Sequence, residues 1–348
     1  MTNFAFAIPG DLGLATGGYA YDRRVITECR NAGWDVTHLA LPGGFPFPSP
    51  EELAQSRKLL HALPEGQAVL VDGLALGVLP ATMLRALRRP LAALVHHPLA
   101  LETGLDDALR SQLVASERAA LAEASIVIAT SPATARLLEQ DFGVARSKLV
   151  VALPGTDPAS RAHGGGTSAR LLSVGAVIPR KAYGVLVEAL ARLTTRDWTC
   201  HIVGATDRDR QETRALEQRI AARGLTDRIS LTGALPAHAL VEEFAAADLF
   251  VSASLFEGYG MGLTEALACG LPIVATDTGA IPDTVPRGAS LLVPANDAAN
   301  LAEAIGLLLD EPDRRRRMAD EAWRHAQALP RWSQTADAIM TALKEMPR

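Results

Sequence analysis

Cysteine is scarce in this sequence of 348 residues. Its 3 cysteines, Cys29, Cys200 and Cys269, lie far apart and form no CxxC motif. An odd number of dispersed cysteines gives no disulfide framework. A reducing compartment is the simplest expectation for such a chain, so we predict a cytoplasmic protein.

Long apolar runs and an excess of positive charge are also missing. No stretch of about 20 apolar residues occurs, so we expect no transmembrane helix. The start, MTNFAFAIPG, lacks the basic residues of a signal peptide. The formal net charge is -5, which does not favour a general affinity for nucleic acid or anionic membranes. We therefore expect no nucleic-acid partner and, at most, peripheral contact with a membrane.

Short apolar runs that alternate with segments of helical spacing are the main pattern in the chain. Continuous apolar strands separated by helices are typical of a parallel sheet that is covered on both faces. Six runs lie in the first half, at residues 4–8, 34–41, 68–73, 91–97, 125–131 and 148–155. Six more lie in the second half, at residues 170–176, 198–205, 228–233, 248–254, 271–276 and 289–295. The pattern predicts an α/β protein with two doubly wound parallel sheets.

A stretch without apolar periodicity, residues 157–170, separates the two sets of runs and has the Gly, Ser and Ala content of a linker. We therefore predict two Rossmann-like domains, residues 1–160 and 168–328, with a cleft between them. Pro330 breaks the final helical stretch. We expect the helix within 329–348 to pack back on the first domain. Ligands of such sheets bind beyond the carboxyl ends of the strands, in the loops that follow them.

The segment from Ser252 to Asp283 is the most informative part of the sequence. A strand ends shortly before Glu257, and a helix begins near Gly260 after a glycine-rich turn. The free N–H groups at the start of such a helix form a ready site for an anion such as a phosphate. A carboxylate cannot favour a phosphate, so we expect Glu265, in the second turn of the helix, to contact neutral hydroxyl groups.

This segment resembles the signature of the retaining glycosyltransferases of family four (group 1), which have the GT-B fold. The signature here is Glu257, seven intervening residues, Glu265, and then ALACG before the LP turn into a strand. The resemblance extends over nearly the whole chain and is strongest over 170–285. It implies that Glu257 contacts the donor sugar and is required for transfer, and that Glu265 binds the ribose hydroxyls. It also implies that four backbone amides hold the diphosphate and sugar, those of Gly260, Met261, Gly262 and Leu263.

A second segment, LLSVGAVIPRKAYGVLVEAL, brings two cations between a strand and a helix. Arg180 and Lys181 suit a diphosphate, because charge-assisted hydrogen bonds to phosphate are strong. They would also stabilise the charge that builds on the leaving nucleotide. Lys181 matches the lysine of the family. Ala176 stands where the family usually has an arginine, and we expect Arg180 to take over that role.

Two further loops extend the resemblance. The loop 9–24 is similar to the family's glycine-rich loop near the donor phosphate, with Gly17 and Gly18 matching. It holds no GxGxxG motif, and no acidic residue ends the second strand, which disfavours an NAD site. In the family, backbone atoms of the loop that corresponds to GALP contact the base, which implies Ala234 and Leu235.

Two histidines end the fourth apolar run, in ALVHHP. The resemblance implies a histidine near the donor sugar, and we favour His96 over His97, which would lie on the opposite face of a continuing strand. No third ligand is placed nearby, so we expect no metal here.

Asp207 and Asp209 form a DxD, which we expect to open a helix rather than to hold a metal.

The resemblance implies a retaining, metal-independent glycosyltransferase that moves a sugar from a nucleoside-diphosphate sugar to an acceptor hydroxyl, as in polysaccharide biosynthesis. We expect no cofactor, a UDP- or GDP-sugar as co-substrate, and an acceptor that is a glycan, a lipid-linked sugar or a small molecule. A GT-B nucleotide-sugar epimerase and a non-catalytic nucleotide-sugar-binding protein are the alternatives. The run Arg314 to Arg317 is expected to be a solvated helix face.

Overall fold

The structure of the chain is a computed structural model. It describes residues 3–164 and 166–346. Five positions lie outside the described residues. They are 1 and 2 of the predicted first domain, 165 of the predicted linker, and 347 and 348 of the predicted last helical segment. Within the described part of the chain, none of the helices combines the length and the apolar content needed to cross a bilayer.

The chain forms two compact units. We call Met1–Gly155 together with Pro330–Arg348 the N-terminal unit, and Thr156–Leu329 the C-terminal unit. Each unit has its own apolar core, built on the faces of its own sheet. The division after Gly155 lies close to the boundary expected at residue 160.

Six parallel strands form the sheet of the N-terminal unit, in the order β2-β1-β3-β4-β5-β6. The strands are β1 (Asn3–Pro9), β2 (Asp35–Leu41), β3 (Ala68–Asp72), β4 (Leu91–Val95), β5 (Ile126–Ala129) and β6 (Leu149–Val151). The three central strands β3, β4 and β5 are buried along their whole length. Their sequences are continuous apolar runs because helices cover both faces of the sheet.

Polar side chains cap the start of most helices of the N-terminal unit. The helices are α1 (Gly17–Asn31), α2 (Pro50–His61), α3 (Gly73–Leu76), α4 (Ala81–Ala86), α5 (Asp107–Glu123), α6 (Pro132–Phe142) and, from the chain end, α14 (Trp332–Glu345). Ser131 accepts the N–H of Thr134 and precedes a proline at the first helical position, so it fixes the start of α6. Gly143, at φ 73°, ends the same helix in the left-handed conformation that glycine adopts without strain.

The last helix, α14, packs on α1 of the same unit. The rings of Trp332 and Tyr21 meet edge to face with centroids 5.7 Å apart. The hydroxyl of Thr335 donates to the carbonyl of Leu153 at 2.6 Å. The chain leaves the preceding helix at Pro330, which cannot continue it, and these contacts hold the returning helix against the N-terminal sheet.

Six parallel strands also form the sheet of the C-terminal unit, in the order β12-β11-β10-β7-β8-β9. The strands are β7 (Ala169–Val174), β8 (Trp198–Val203), β9 (Ile229–Gly233), β10 (Leu249–Ser252), β11 (Ile273–Thr276) and β12 (Ser290–Val293). The helices are α7 (Tyr183–Leu190), α8 (Arg210–Ala222), α9 (Ala237–Ala246), α10 (Met261–Ala268), α11 (Ile281–Thr284), α12 (Ala298–Asp310) and α13 (Pro312–Ala326). Asp209 caps α8 by accepting two backbone N–H groups, so the DxD residues open a helix as expected.

The strand order of each sheet reverses direction once. In the N-terminal unit the chain moves outward from β1 to β2 and then continues on the other side, from β3, so the switch point lies between β1 and β3. In the C-terminal unit the corresponding switch point lies between β7 and β10. Ligands of open parallel sheets bind beyond the carboxyl ends of the strands at such a point, because the loops there diverge.

Candidate functional site

Two loops meet at the switch point of the C-terminal unit, one after β7 and one after β10. The N–H of Leu255 donates to the carbonyl of Arg180 at 2.8 Å. The guanidinium of Arg180 donates in return to the carbonyl of Phe256 at 2.8 Å. Lys181 ends a short 3-10 turn, Pro179–Lys181, in the loop after β7. These backbone contacts bring the two predicted cations beside the loop that carries Glu257.

Glu257 is buried at the centre of this arrangement. Its Oε1 lies 2.6 Å from Nζ of Lys181, and its Oε2 lies 3.5 Å from the guanidinium of Arg180. The hydroxyl of Ser254 also donates to Oε1 at 2.7 Å. The structure thus pairs the carboxylate with the two cations that the sequence analysis had assigned to the diphosphate, and it adds Ser254, which that analysis missed.

The ionised form of Glu257 is strongly favoured. Burial on its own would raise the pKa of this carboxyl, but the charges of Lys181 and then Arg180 lower it more, to about 2. The hydrogen bond from Ser254 acts in the same direction. At neutral pH the site therefore holds one fixed carboxylate and two fixed cations, with one unit of positive charge in excess.

Glycine is required where these loops pass closely. Gly175, at φ 153°, follows β7, and a Cβ there would lie 2.5 Å from Cε of Lys181. Gly279, at φ 56°, follows β11, and a Cβ there would lie 2.5 Å from the carbonyl oxygen of Glu257. Two threonines of the same region, Thr276 and Thr278, donate hydroxyl hydrogens to carbonyls of the loop after β10. The position of Glu257 is thus set by tightly packed backbone on several sides.

The start of α10 offers free backbone donors beside this cluster. Gly260 precedes the helix at φ 93°, a conformation that favours glycine. Within residues 3–164 and 166–346, no acceptor lies within hydrogen-bonding distance of the N–H groups of Met261 and Gly262. The N–H of Leu263, in contrast, donates to the carbonyl of Gly260 at 2.9 Å. The amide of Leu263 thus already has a partner within the first turn of the helix, and its contact with a ligand stays a prediction.

Glu265 lies half-buried in the second turn of α10. Burial, and next the charge of Asp157, raise the pKa of its carboxyl to about 7. In the part of the chain that the structure describes, its carboxylate has no hydrogen-bond donor. Hydrogen-bond donors such as sugar hydroxyls stabilise the ionised form of a carboxyl. The contact of Glu265 with ribose hydroxyls stays a prediction.

The loop after β9 contains the two predicted base contacts. Gly233 ends the strand at φ 74° and its carbonyl accepts the N–H of Gly204. Ala234 is exposed and Leu235 is half-buried, and the side chain of Leu235 packs against the apolar cluster of this unit. Their contact with a base stays a prediction.

In the N-terminal unit, Gly17 and Gly18 lie in the first turn of α1 and not in the loop that precedes it. The helix begins at Gly17 because the side chain of Thr16 accepts the N–H of Tyr19. A Cβ at Gly17 would meet nothing within 4 Å, and one at Gly18 would meet the ring of His96 at 3.5 Å. The cap at Thr16 therefore places both glycines at the point where the loop after β1 becomes helical, and their approach to the donor phosphate stays a prediction.

His96 joins two carboxylates at the switch point of the N-terminal unit. β4 ends at Val95, so His96 follows the strand. Its Nε2 lies 3.0 Å from Oδ1 of Asp22, which comes from α1, and 3.3 Å from Oδ2 of Asp72, which ends β3. His97 lies elsewhere, with its Nε2 3.9 Å from the carboxylate of Glu102. We call Asp22, Asp72 and His96 the histidine cluster.

The histidine cluster overturns one argument from the sequence. The three side chains present ligand-type atoms within 4.8 Å of one another. The statement that no third ligand is placed near His96 is therefore wrong, although the absence of a metal stays a prediction. Asp72 could have been noticed, because it ends a buried strand. Asp22 gives no such signal, because its position depends on which face of α1 turns inward.

The charges of the histidine cluster favour the protonated, positively charged form of the His96 ring. Burial alone would lower the pKa of His96, but Asp22 first and then Asp72 raise it to about 10. Burial raises the pKa of Asp22 to about 7, and the charge of His96 only partly opposes this effect. The ring of Tyr21 covers His96 edge to face at 5.0 Å.

Similar proteins were found along the whole chain. A family described as glycosyl transferases group 1 matches residues 160–325, and one described as glycosyltransferase family 4 matches residues 18–160. D-inositol 3-phosphate glycosyltransferase of Nocardia farcinica is 32% identical over 64% of this chain and 53% of its own length. MMP alpha-(1->4)-mannosyltransferase of Mycolicibacterium hassiacum is 29% identical over 84% of this chain and 74% of its own length. The aligned region thus spans about half the length of the Nocardia relative.

Two solved structures share the fold. Sucrose-phosphate synthase from Thermosynechococcus elongatus superposes with a TM-score of 0.83 at 22% identity, over 98% of both chains. Anabaena HepE in complex with UDP-glucose gives a TM-score of 0.78 at 19% identity, over 98% of this chain and 99% of its own. The two Rossmann-like units with parallel six-stranded sheets therefore have the GT-B fold, as predicted.

The sequence matches cover both units, and the signature glutamates lie at the switch point of the second. The chain belongs to the group 1 glycosyltransferases of family four. The family resemblance drawn from Glu257, Glu265 and Lys181 is confirmed. The roles of these residues stay proposals.

Proposed function

We propose that this chain moves a sugar from a nucleoside-diphosphate sugar to an acceptor hydroxyl, with retention of configuration and without a metal. The observation that carries the proposal is the buried contact of Glu257 with Lys181 and Arg180, beside the open N–H groups that begin α10. A diphosphate needs concentrated positive charge, and two cations and a helix start provide it. The donor is a UDP- or GDP-sugar, and UDP-glucose is bound by the Anabaena neighbour.

Each residue of the site has a chemical task in this proposal. Lys181, Arg180 and the N–H groups of Met261 and Gly262 hold the diphosphate and stabilise the negative charge that develops as it leaves. Glu265 accepts hydrogen bonds from the ribose hydroxyls. Glu257, kept ionised by its cations, stabilises the sugar as it becomes oxocarbenium-like.

The transfer takes place in one step on a single face of the sugar. The acceptor oxygen forms a bond to the anomeric carbon while the bond from that carbon to the phosphate oxygen breaks. The proton of the acceptor hydroxyl passes to the departing phosphate oxygen. No side chain then needs to form a covalent intermediate, so Glu257 acts through its charge. The N-terminal unit binds the acceptor, which is a glycan, a lipid-linked sugar or a small molecule.

A thermal-shift panel of UDP, GDP, ADP and dTDP, followed by their sugars, tests the donor part of the proposal. A nucleotide at 100 times its dissociation constant should stabilise the chain by about 2.7 kcal/mol. The absence of any shift with all four nucleotides would sink the proposal.

A turnover assay distinguishes a transferase from the two alternatives, an epimerase and a non-catalytic nucleotide-sugar-binding protein. Slow release of nucleotide from one sugar donor, lost in Glu257→Ala and Lys181→Ala, supports transfer. An epimerase would convert the donor sugar without an acceptor. Binding without turnover over a broad acceptor panel would indicate a non-catalytic binding protein.

A further inference from the structure

A cavity of about 480 Å³ lies in the C-terminal unit, between α13 and the turn that leads into β12. Arg287 lines it from the turn, and Arg314, Arg317 and Arg324 line it from α13. We call these four side chains the arginine group and the space between them the arginine cavity. The volume is within the range of small-molecule pockets, about 300–1,000 Å³, and every lining residue belongs to this one unit.

The arginine cavity lies at the opposite end of the sheet from Glu257 and Lys181. Gly288 and Ser290, which also line it, stand at the start of β12. This edge strand runs parallel to β11, and Ser290 lies beside the first residue of that strand. Glu257 and Lys181, in contrast, follow the carboxyl ends of β10 and β7. A ligand of the cavity therefore occupies a place of its own, apart from the proposed diphosphate site.

Three members of the arginine group share one face of α13. Arg314, Arg317 and Arg324 are separated by three and by seven residues, spacings that place side chains on the same side of a helix. Arg315 instead donates to a backbone carbonyl of α12 at 2.9 Å, and Arg316 is exposed and lies outside the lining. The run Arg314 to Arg317 is thus divided between the cavity and other surfaces.

Two carboxylates also line the cavity, and each has a cation of its own. Glu321 lies 2.5 Å from the guanidinium of Arg324. Asp320 pairs with Arg161, which is outside the lining. Four guanidinium groups and two carboxylates leave the lining with two positive charges in excess.

Arg287 and Arg317 carry this excess. Within residues 3–164 and 166–346 neither side chain makes a hydrogen bond or an ion pair, whereas Arg314 lies 3.6 Å from Glu311. A guanidinium cannot lose its proton in a protein, so both charges persist at every pH. Charges of one sign in a concave surface focus their field and attract a counter-ion more strongly than scattered surface charges do.

We propose that the arginine cavity binds the phosphate group of a small phosphorylated compound between Arg287 and Arg317. The planar guanidinium matches phosphate oxygens with two parallel hydrogen bonds. A phosphate monoester carries a charge of about −1.5 to −2 at pH 7, which balances the excess of the lining. Leu291 and Met318, which also line the cavity, provide apolar surface for the rest of the compound. The site is independent of the proposed function, because no residue of the donor site takes part.

Calorimetric titration of the full-length chain with glucose 6-phosphate tests the proposal, and glucose is the matched ligand without the phosphate. Glucose 6-phosphate should bind and glucose should not. Arg287→Gln and Arg317→Gln should each weaken binding by about 10-fold to 100-fold, as expected for the loss of a charged hydrogen bond. Both residues are exposed, so the thermal midpoints should stay near that of the native chain. The absence of binding by both glucose 6-phosphate and inorganic phosphate, or equal affinity in the native chain and both variants, would overturn the proposal.

Two further variants locate the bound phosphate. Arg316→Gln removes the same charge from the same helix at an exposed position outside the lining, beside Asp313. It should leave the affinity for glucose 6-phosphate unchanged, and a loss equal to that in Arg317→Gln would mean that overall charge attracts the phosphate. Lys181→Met should also leave this affinity unchanged. A loss confined to Lys181→Met would place the phosphate at the donor site and overturn the proposal, whatever the outcome for the proposed function.

Nitrogen NMR and vesicles complete the test. The Nε–H signals that are lost in Arg287→Gln and in Arg317→Gln should move when glucose 6-phosphate is added to the native chain. Vesicles of phosphatidylglycerol distinguish a soluble compound from a lipid headgroup, which offers a phosphate as well. Sedimentation of the chain with these vesicles that is lost in Arg317→Gln, without any binding of glucose 6-phosphate, would overturn the assignment to a small soluble ligand.

Discussion

The switch points of the two units both carry a buried group of three charged side chains, but with the signs exchanged. In the C-terminal unit one carboxylate, Glu257, lies between the cations of Lys181 and Arg180. In the N-terminal unit one imidazole, that of His96, lies between Asp22 and Asp72. An unpaired buried charge is costly, so the flanking partners in each group keep the central side chain ionised.

The net charge differs between the two groups. The C-terminal group has one positive charge in excess and lies beside the free N–H groups of α10, which suits a diphosphate. The histidine cluster has two carboxyl groups around one imidazole. The same position in two similar sheets therefore carries charge groups of opposite composition.

The largest effect is expected from Glu257→Gln. The amide keeps the size of the side chain but removes the charge that should stabilise the sugar in the transition state. Turnover should fall by about 100-fold to 1,000-fold, as for other preorganised electrostatic groups. The measurement is the rate of nucleotide release from the sugar donor, with Glu303→Gln, an exposed glutamate of α12, as the control. Near-normal turnover in Glu257→Gln would show that the carboxylate has no catalytic role.

Lys181→Met should weaken nucleotide binding. The substitution removes the positive charge closest to Glu257, so nucleotide affinity should fall by about 10-fold to 100-fold, the value of a charged hydrogen bond. Calorimetric titration with the nucleotide that gave the largest thermal shift provides the measurement. Lys58→Met is the control, because Lys58 is exposed on α2 of the other unit. Unchanged affinity in Lys181→Met would mean that the lysine serves only to neutralise Glu257.

Gly175→Ala tests whether the backbone beside Lys181 sets the position of its side chain. The new Cβ would lie 2.5 Å from Cε of Lys181, so the lysine must move and nucleotide affinity should fall. A loss of about tenfold corresponds to about 1.4 kcal/mol.

The control for this variant is Gly224→Ala, because Gly224 also has a positive φ, 65°, but a Cβ there would meet no atom within 4 Å. Both substitutions strain the backbone, so they should lower the thermal midpoint similarly. Only Gly175→Ala should weaken nucleotide binding. Equal affinities in the two variants would contradict the role assigned to Gly175.

The sequence was sufficient to predict the strands and their division into two parallel sheets, because strands buried on both faces are continuous apolar runs. It was also sufficient to recognise the family, since Glu257 and Glu265 belong to a long spaced motif. It was not sufficient for the histidine cluster. Asp22 and His96 are 74 residues apart and meet only in the folded chain.

The sequence was also not sufficient to predict the first residues of two helices. Thr16 caps α1 earlier than expected, so Gly17 became helical. The first hydrogen bond of α10 takes the amide of Leu263. Each helix start depends on a single hydrogen bond, to the side chain of Thr16 in α1 and to the carbonyl of Gly260 in α10. The spacing of apolar residues does not predict such single hydrogen bonds.

The smallest effect is expected for the pH dependence of local stability in the two units of the ligand-free chain, because a change of pH removes no side chain. The pKa of Glu257 is about 2, below its ordinary value of 4.5. Its stabilising contribution is therefore present above pH 4.5 and is lost as the pH falls toward 2. The pKa of His96 is raised from 6.5 to about 10. Its contribution is complete below pH 6.5 and is lost as the pH rises through 10.

Peptide-resolved hydrogen exchange, corrected for intrinsic rates, should therefore show opposite responses in the two units. Peptides from β10 should lose protection first in acid, and peptides from β3 and β4 should lose it first in alkali. Asp22→Asn should remove most of the alkaline response without changing the acid one, because it takes away the carboxylate that raises the pKa of His96 most. Simultaneous loss of protection in both units, in acid and in alkali, would mean that the two charge groups do not control local stability. The two groups would then be alike only in the arrangement of their side chains.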